Sequence, residues 1–332
     1  GPACYGRGGT EPTVTDADLL LGYLDAGSFL GGDFALDRQA AQTAMDTLAA
    51  DLGITTQRCA WGIHDMVNES MAEAASMQAT DSGVDPRSLP LIAFGGAGPV
   101  HAYGVARKLG IRKVICPLGA GVTSAIGLLG APVAADLSAS APMRLSAWDV
   151  AAVRAVKASL EAKGREVVLA SRVPVEDIGF SYTVDMRHVG QGYEISVPLP
   201  ELDPADPDFR QTLLARFHAQ YVALYGRAVS GTDAEIITWR IRASGPKSEV
   251  SLERLRGDAG GVTRDARKGS RPVYFPELGE YVDTPVYDHY ALVPGVPVAG
   301  PAIIEQREST VVMGPNASAS LDAQHNLIML LS

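Results

Sequence analysis

The chain has 332 residues, of which 46% are apolar and 20% are charged. This length allows two domains with separate cores, and no run of eighteen apolar residues predicts a membrane-spanning helix. The formal net charge is −10 and the basic residues are scattered, so neither nucleic acid nor a membrane is an expected partner. The three cysteines are far apart and odd in number, which predicts reduced thiols in a cytoplasmic protein.

An irregular loop and a short helix are predicted at the start of the chain. Glycine and proline interrupt residues 1–13 too often for a regular element. Thr15 and Asp18 have the spacing of a capping box, which would open the first helix. Asp16 beside them is interpreted as a second capping residue and not as a catalytic acid.

Two longer helices follow in the prediction. Asp37 would cap a helix that ends near Leu52, and Thr56 would begin a third helix with apolar residues at steps of three and four. His64 and Asp65 on that helix point about 100° apart, so they are not expected to form a pair. Its three methionines are interpreted as core residues: Met66, Met71 and Met77.

The most informative segment is an apolar run at 89–94 that breaks into a glycine turn at 95–98 and restarts as a predicted helix at 100–109. Such a turn brings free main-chain N–H groups and a helix dipole to one point, where a nucleotide can approach. A dinucleotide fingerprint would need glycine in place of His101, and a Walker loop would need Lys-Ser/Thr in place of Pro99 and its neighbour. Two interpretations remain, an adenosine-binding turn or a strand-to-helix turn without a ligand.

Strand and helix alternate up to a predicted strand at 113–116, which favours a mainly parallel sheet covered on at least one side. From about Ser140 the character of the sequence changes to a helix, a hairpin and a helix, and then a strand at 235–241. Residues 246–271 are predicted to form an exposed connection, and the remainder to form short β runs.

Charged residues alternate on the two predicted hairpin strands, 180–186 and 193–197. Asp185, Arg187 and Glu194 could form an ion-pair ladder, or they could contact a partner subunit. Both interpretations stay open at this point.

Six motifs in chain order resemble the hydantoinase A / 5-oxoprolinase family. The resemblance covers nearly the whole chain, and six motifs in the right order are far more specific than one glycine turn. The motifs are residues 1–9, 12–17, 94–102, 124–129, 185–194 and 300–305.

The large subunits of that family resemble actin and the sugar kinases, with ATP held between two lobes. The resemblance implies an α/β fold in which residues 1–140 form the C-terminal part of an ATPase-like lobe. Residues 141–332 would form an α+β domain with a β-rich end. It further implies that adenosine contacts the turn, with Pro99 and His101 shaping it; the implied cofactor-binding residues are Gly95, Gly96, Ala97, Gly98, Pro99 and His101.

The implied activity is ATP-dependent hydrolysis of a cyclic amide such as a hydantoin or 5-oxoproline. The carbonyl oxygen would be phosphorylated before the ring opens, with Mg²⁺ neutralising charge on the transferred group. A hydantoinase B-type subunit or domain would complete the reaction. Two alternatives stay open, a subunit of an ATP-dependent ketone carboxylase and an inactive fragment that only binds partners.

Phosphate-binding motifs of the Asp-x-Gly-Gly-Thr type, which family members carry, do not occur in this chain. The sequence begins just after the position of the second motif, so we expect it to be the C-terminal half of such a subunit. The missing N-terminal half would then be a partner. The chain alone is expected to bind ATP weakly or not at all.

Catalytic residues are not identified by the sequence, and Tyr5 and Arg7 are the candidates that the resemblance offers. Their loop resembles a segment beside the active cleft, where Arg7 could hold a phosphate or a carboxylate; alternatively, it bonds nearby carbonyl groups. Cys4 has no neighbouring base and is interpreted as a packing residue. His101 has no second ligand at metal spacing, so it is interpreted as structural and no metal site is predicted.

Overall fold

A computed structural model describes residues 1–227, 229, 231–247 and 265–332. In this part of the chain, helices and strands alternate irregularly. The helices are α1 Val14–Leu20, α2 Arg38–Leu52, α3 Thr56–Asp81, α4 Gly98–Leu109, α5 Thr123–Gly130, α6 Val150–Ala170 and α7 Pro207–Tyr225. The strands are β1 Leu91–Ile92, β2 Lys113–Cys116, β3 Ala134–Arg144, β4 Gly179–His188, β5 Ile195–Pro198, β6 Ala234–Ser244, β7 Arg267–Phe275, β8 Glu280–Asp288, β9 Val298–Ala299, β10 Ala302–Glu305, β11 Thr310–Met313, β12 Ala317–Leu321 and β13 Leu327–Leu331.

The fold is mixed α/β with three sheets, and the chain divides into two compact units. The first unit contains Gly1–Leu128 and the described residues of Ser251–Ser332, and the second is Leu129–Val250, of which residues up to 247 are described in part. These units differ from the predicted division after residue 140. The reason is strand pairing, because the C-terminal strand β13 pairs with β2.

The first unit contains a five-stranded sheet in the order β1-β2-β13-β12-β9 and a four-stranded sheet in the order β11-β10-β8-β7. The prediction of a mainly parallel sheet is wrong. In the described part of the chain, only β1 with β2 and β8 with β10 pair in parallel. The C-terminal hairpin of β12 and β13 supplies antiparallel partners that the local pattern around β2 could not indicate.

Helices α2 and α3 begin where the sequence predicts. The Asp37 side chain accepts a hydrogen bond from the Ala40 N–H at 3.0 Å, and Gly53 ends α2 in the left-handed conformation at φ 65°. The interpretation of the α3 methionines is wrong for two of the three. Met66 and Met77 are 71% and 63% exposed, because the buried face of α3 consists of other residues: Cys59, Ala60, His64, Asn68 and Ala72.

Helix α1 starts at Val14, earlier than predicted, so the capping box is Thr13 with Asp16 and not Thr15 with Asp18. The Asp16 carboxylate accepts hydrogen bonds from the Thr13 N–H at 2.8 Å and from the Cys4 N–H at 2.7 Å. It therefore caps the helix and ties the N-terminal loop to it. The shift of two residues leaves Asp18 inside the helix, where it is 3% exposed.

The second unit is a four-stranded antiparallel sheet in the order β3-β6-β4-β5, packed with α6 and α7. The predicted hairpin is confirmed by the β4–β5 pairing, in which Val184 lies opposite Val197. Large apolar side chains fill this core, including Trp239, Phe209 and Phe217, which are at most 2% exposed. The core therefore rests on hydrophobic burial.

The ion pairs of the hairpin form with β6 instead of within the hairpin. Arg187 contacts Glu235 and Asp185 contacts Arg240, each at 2.8 Å. The predicted ladder of Asp185, Arg187 and Glu194 is therefore wrong, because the partner strand in the sheet carries the opposite charges.

Residues 248–264 of the predicted connection lie outside the described residues, and β7 begins within its last part. The short β runs predicted after it are confirmed by β7 to β13. All three cysteines are buried free thiols. Among the described residues, no helix combines the length and hydropathy needed to cross a membrane.

Candidate functional site

The glycine turn lies between β1 and α4, as its sequence predicts. The Gly95 N–H donates to the Ala120 carbonyl at 2.8 Å, and the Gly95 φ of 89° requires a residue without a side chain. Helix α4 begins at Gly98 with Ala97 as its N-cap, and no side chain caps the first turn. The N-terminal main chain of α4 is therefore left without an internal side-chain partner.

The main chain of the turn can be approached closely. A Cβ atom added at Gly95 or Gly98 would meet no atom within 4 Å, and one added at Gly96 would lie 3.6 Å from the Glu308 carbonyl oxygen. Gly96 and Ala97 are exposed. The turn thus has the open backbone that a flat ligand such as a purine needs.

A second loop supports the turn, and sequence reasoning missed it. The Gln306 amide accepts from the Ala120 N–H at 3.0 Å and donates to the Pro117 carbonyl at 3.2 Å. The Gln306 amide nitrogen also lies 3.3 Å from Nδ1 of His289. These contacts hold the loop whose Ala120 carbonyl receives Gly95, and they join residues almost 190 positions apart in sequence.

Gly121 in that loop allows a close approach of the β10–β11 turn. A Cβ atom at Gly121 would lie 2.5 Å from Cβ of Glu308 and 2.6 Å from its carbonyl oxygen. Glu308 therefore sits between Gly121 and Gly96. No local signal in the sequence indicates this contact, because it depends on strand pairing at the far end of the chain.

Tyr5 and Arg7 lie together in an aromatic group. The Tyr5 ring packs on Phe34 at 5.3 Å between centroids, and the Arg7 guanidinium lies 5.2 Å from the centre of the same ring. Among the described residues, Arg7 has no hydrogen bond to a carbonyl oxygen. Their catalytic role stays a prediction.

Cys4 packs in the core, as predicted. Burial, with the neighbouring Asp16 carboxylate, raises the pKa of the Cys4 thiol to about 12. Burial alone would raise the pKa of Asp16, but its hydrogen bonds from Cys4 and Thr13 lower it overall. A thiol with so high a pKa is not a nucleophile at neutral pH.

His101 belongs to a buried polar cluster that the structure assembles from three helices. Asp18 on α1 accepts a hydrogen bond from Nδ1 of His64 on α3 at 2.7 Å, and Nε2 of His101 on α4 lies 3.7 Å from the other Asp18 oxygen. The two histidine rings stack at 4.4 Å. The partner that His64 lacks in Asp65 is therefore supplied by Asp18, across 46 residues of sequence.

The remaining nitrogen of His101, Nδ1, lies 2.9 Å from Oδ1 of Asn68. Burial lowers the pKa of His101 to about 4, Asp18 opposes that shift, and His64 adds to it. His101 is therefore neutral at physiological pH and holds α4 against α1 and α3.

Asp18, His64 and His101 are also the group of three potential metal ligands that the described residues contain. Mg²⁺ prefers oxygen ligands and retains water, whereas two of these three ligands are imidazoles and all three side chains are buried. The cluster does not fit Mg²⁺. The expected Mg²⁺ ion therefore has no match among these side chains.

A cavity of about 320 Å³ adjoins this cluster in the first unit. It is lined by residues of α3 and α4, by the β7–β8 turn and by Tyr23 after α1. Most of its wall is apolar, and its polar members include His64, Lys108 and Glu277. Such a mixture of apolar surface with few polar groups is typical of small-molecule sites.

The comparisons with known proteins agree with the motifs. The family model for hydantoinase/oxoprolinase matches residues 1–137, and the model for the hydantoinase/oxoprolinase C-terminal domain matches residues 142–331. The chain is 32% identical to the caprolactamase subunit alpha of Pseudomonas jessenii over 97% of its own length and 47% of that protein. It is 30% identical to the acetone carboxylase beta subunit of Xanthobacter autotrophicus over 98% of its length and 47% of that protein.

The crystal structure of the ATP-dependent caprolactamase from Pseudomonas jessenii matches with a TM-score of 0.70 and 30% identity, over 100% of this chain and 48% of that one. The chain thus spans about half the length of these relatives. The two family models together cover nearly all of its residues. The chain belongs to the hydantoinase/oxoprolinase family.

Proposed function

We propose that this chain is the adenosine-binding half of an ATP-dependent hydrolase for cyclic amides. The observation that carries the proposal is the open glycine turn at 95–98, whose main chain no side chain covers. The similarity to a caprolactamase subunit over 97% of the chain supports the substrate class. A lactam, a hydantoin and 5-oxoproline share the cyclic amide on which such an enzyme would act.

Residues of this chain would bind and orient the nucleotide base. Gly95, Gly96, Ala97 and Gly98 offer main chain for the purine, and Pro99 fixes the first turn of the helix behind it. The Gln306 and Glu308 turn would hold that main chain in place through Ala120 and Gly121. His101 would position α4 from the buried side.

ATP, when bound, would supply the phosphoryl group that turns a poor amide electrophile into one with a good leaving group. The groups that hold the phosphates and Mg²⁺ would come from a segment upstream of this chain. In this proposal residues 1–140 belong to an actin- or sugar-kinase-like ATPase lobe, and residues 141–332 form a separate α+β region. A hydantoinase B-type subunit would complete hydrolysis.

A ketone carboxylase subunit is the second candidate, favoured by the 30% identity to the acetone carboxylase beta subunit. Both reactions would begin with activation of an oxygen atom by phosphorylation. A product assay separates them. A cyclic amide yields a ring-opened amino acid, whereas carboxylation incorporates labelled bicarbonate into a keto acid.

The nucleotide site is tested by Gly96→Val in the full-length subunit. The Cβ atom would lie 3.6 Å from the Glu308 carbonyl, so the two methyl groups of valine extend into the space that the purine would occupy. We expect the affinity for ATP, measured by isothermal titration, to fall about tenfold or more.

Gly62→Val is the matched control. Gly62 lies on α3, and a Cβ atom there meets nothing within 4 Å. This variant should bind ATP like the unchanged subunit. Equal affinity of the Gly96→Val subunit would place the nucleotide elsewhere.

A further inference from the structure

We propose that the cavity beside α3 and α4 binds a small ring compound that carries an N–H donor next to a carbonyl acceptor. The proposal rests on the proposed function only for its link to catalysis, since a cyclic amide is such a compound. At about 320 Å³ the cavity is at the small end of ligand sites. Its chemistry is separate from that of the glycine turn.

Aromatic and aliphatic side chains form most of the wall. Tyr23, Trp61, Tyr103 and Phe275 contribute rings, and Val100 and Val312 contribute aliphatic surface. Transfer of an apolar ring from water to such a wall is favourable. This part of the cavity therefore selects for a compact hydrocarbon ring.

Glu277 presents an unused acceptor in this wall. Its Oε1 receives the Tyr103 hydroxyl at 3.1 Å and also contacts the Arg107 guanidinium. Its Oε2 is buried and has no hydrogen-bond partner among the described residues. A buried carboxylate oxygen without a donor costs free energy, so a ligand N–H directed at Oε2 would be stabilising.

His64 presents a second acceptor. The Asp18 carboxylate accepts from Nδ1 at 2.7 Å, so Nδ1 carries the ring proton and Nε2 of the neutral ring is left as a lone pair. In the described part of the chain, no hydrogen bond to Nε2 is present. Acceptors at Glu277 and His64 together select for a ligand that donates.

Lys108 supplies the complementary donor. Its ammonium group bonds to Asp65 at 2.9 Å and to Glu69 at 2.6 Å, and an ammonium has three N–H donors. The third N–H is available for a carbonyl oxygen. A ring amide matches this set, because its N–H faces acceptors while its C=O faces a donor.

The experiment compares ε-caprolactam with N-methylcaprolactam by isothermal titration of the full chain. The two probes have the same ring and carbonyl, but the second has no N–H. We expect saturable binding of caprolactam and at least about tenfold weaker binding of the N-methyl probe. Equal affinities, or no saturable binding of caprolactam, would overturn the proposal.

Glu277→Gln tests the acceptor directly. Arg107 and Tyr103 require the oxygen of the new amide, so its NH₂ group would replace the free acceptor, and caprolactam affinity should fall about tenfold. Glu280→Gln, the same change at the exposed start of β8, should leave it unchanged. An unaltered affinity of the Glu277→Gln chain would contradict the assignment.

Failure of this proposal is distinguishable from failure of the proposed function. Loss of ATP affinity in the Gly96→Val subunit together with equal binding of both lactams would overturn the cavity assignment alone. Selective binding of caprolactam with unchanged ATP affinity in that variant would support the cavity and overturn the nucleotide site.

Discussion

The two compact units bury very different kinds of side chain. In the described part of the second unit, the buried polar residues are Asp185 and His188, and large apolar side chains fill the core. The first unit buries ten: Asp16, Asp18, His64, Asn68, His101, Thr284, His289, Glu305, Gln306 and Ser309. Burial of a polar group is unfavourable unless it is paired, so the first unit sacrifices stability for position.

That difference separates scaffold from site. The polar contacts of the first unit fix the glycine turn, the loop behind it and the cavity wall, whereas the contacts of the second unit stabilise a sheet. The comparison makes quantitative expectations, and three measurements would break or sharpen it.

The largest expected effect is that of Asp18→Ala. Its removal leaves the buried Nδ1–H of His64 without an acceptor, so we expect the free energy of unfolding to fall by about 3 kcal/mol. Asp185→Ala in the second unit is the matched control, and its partner Arg240 is 52% exposed, so water can replace the carboxylate and the loss should be about 1 kcal/mol. Equal losses in chemical denaturation would break the comparison.

A smaller effect is expected from pH through His101. Its pKa is lowered from 6.5 to about 4 in the folded state, so the unfolded chain binds a proton at a pH where the folded chain does not. The contribution of His101 to stability is therefore present above pH 6.5 and is lost as pH falls toward 4, by about 2 kcal/mol between pH 7 and pH 5.

His101→Gln tests this pH dependence, since glutamine does not titrate. Denaturation curves of this variant should lose about 2 kcal/mol less than the unchanged chain over the same interval. The same slope in both proteins would show that His101 is protonated in the folded state.

The smallest effect is expected on the sheet of the second unit. Asp136 and Arg242 form an ion pair at 3.0 Å, and their side chains are 70% and 51% exposed. Asp136→Ala should change the free energy of unfolding by less than about 0.5 kcal/mol. A loss above 1 kcal/mol in thermal or chemical denaturation would indicate that this face is less hydrated than its exposure implies.

Local signals in the sequence predicted the elements that local physics determines. The cap at Asp37, the turn at 95–98 and the hairpin of β4 and β5 each depend on neighbouring residues, and the structure has them. The error at α1 has the same origin, because Thr13 and Thr15 both offer a hydroxyl three residues before a carboxylate. Only the surrounding loop decides between them.

Long-range contacts could not be predicted from one sequence. Asp18, His64 and His101 have no common spacing, and Gln306 reaches Ala120 only because β10 and β11 lie in the same unit as residue 120. The mainly parallel sheet failed for the same reason, since the antiparallel partner of β2 is near the end of the chain. Pairing between distant strands is a property of the whole fold.

The pairing of β2 with β13 has a consequence for biosynthesis. Residues 113–116 leave the ribosome more than 200 residues before residues 327–331, with which they form a ladder. During that interval the main chain of β2 would present unpaired N–H and C=O groups on this side. Translation of nearly the whole segment must therefore finish before the central sheet can close, which makes nascent chains a target for aggregation or chaperone capture.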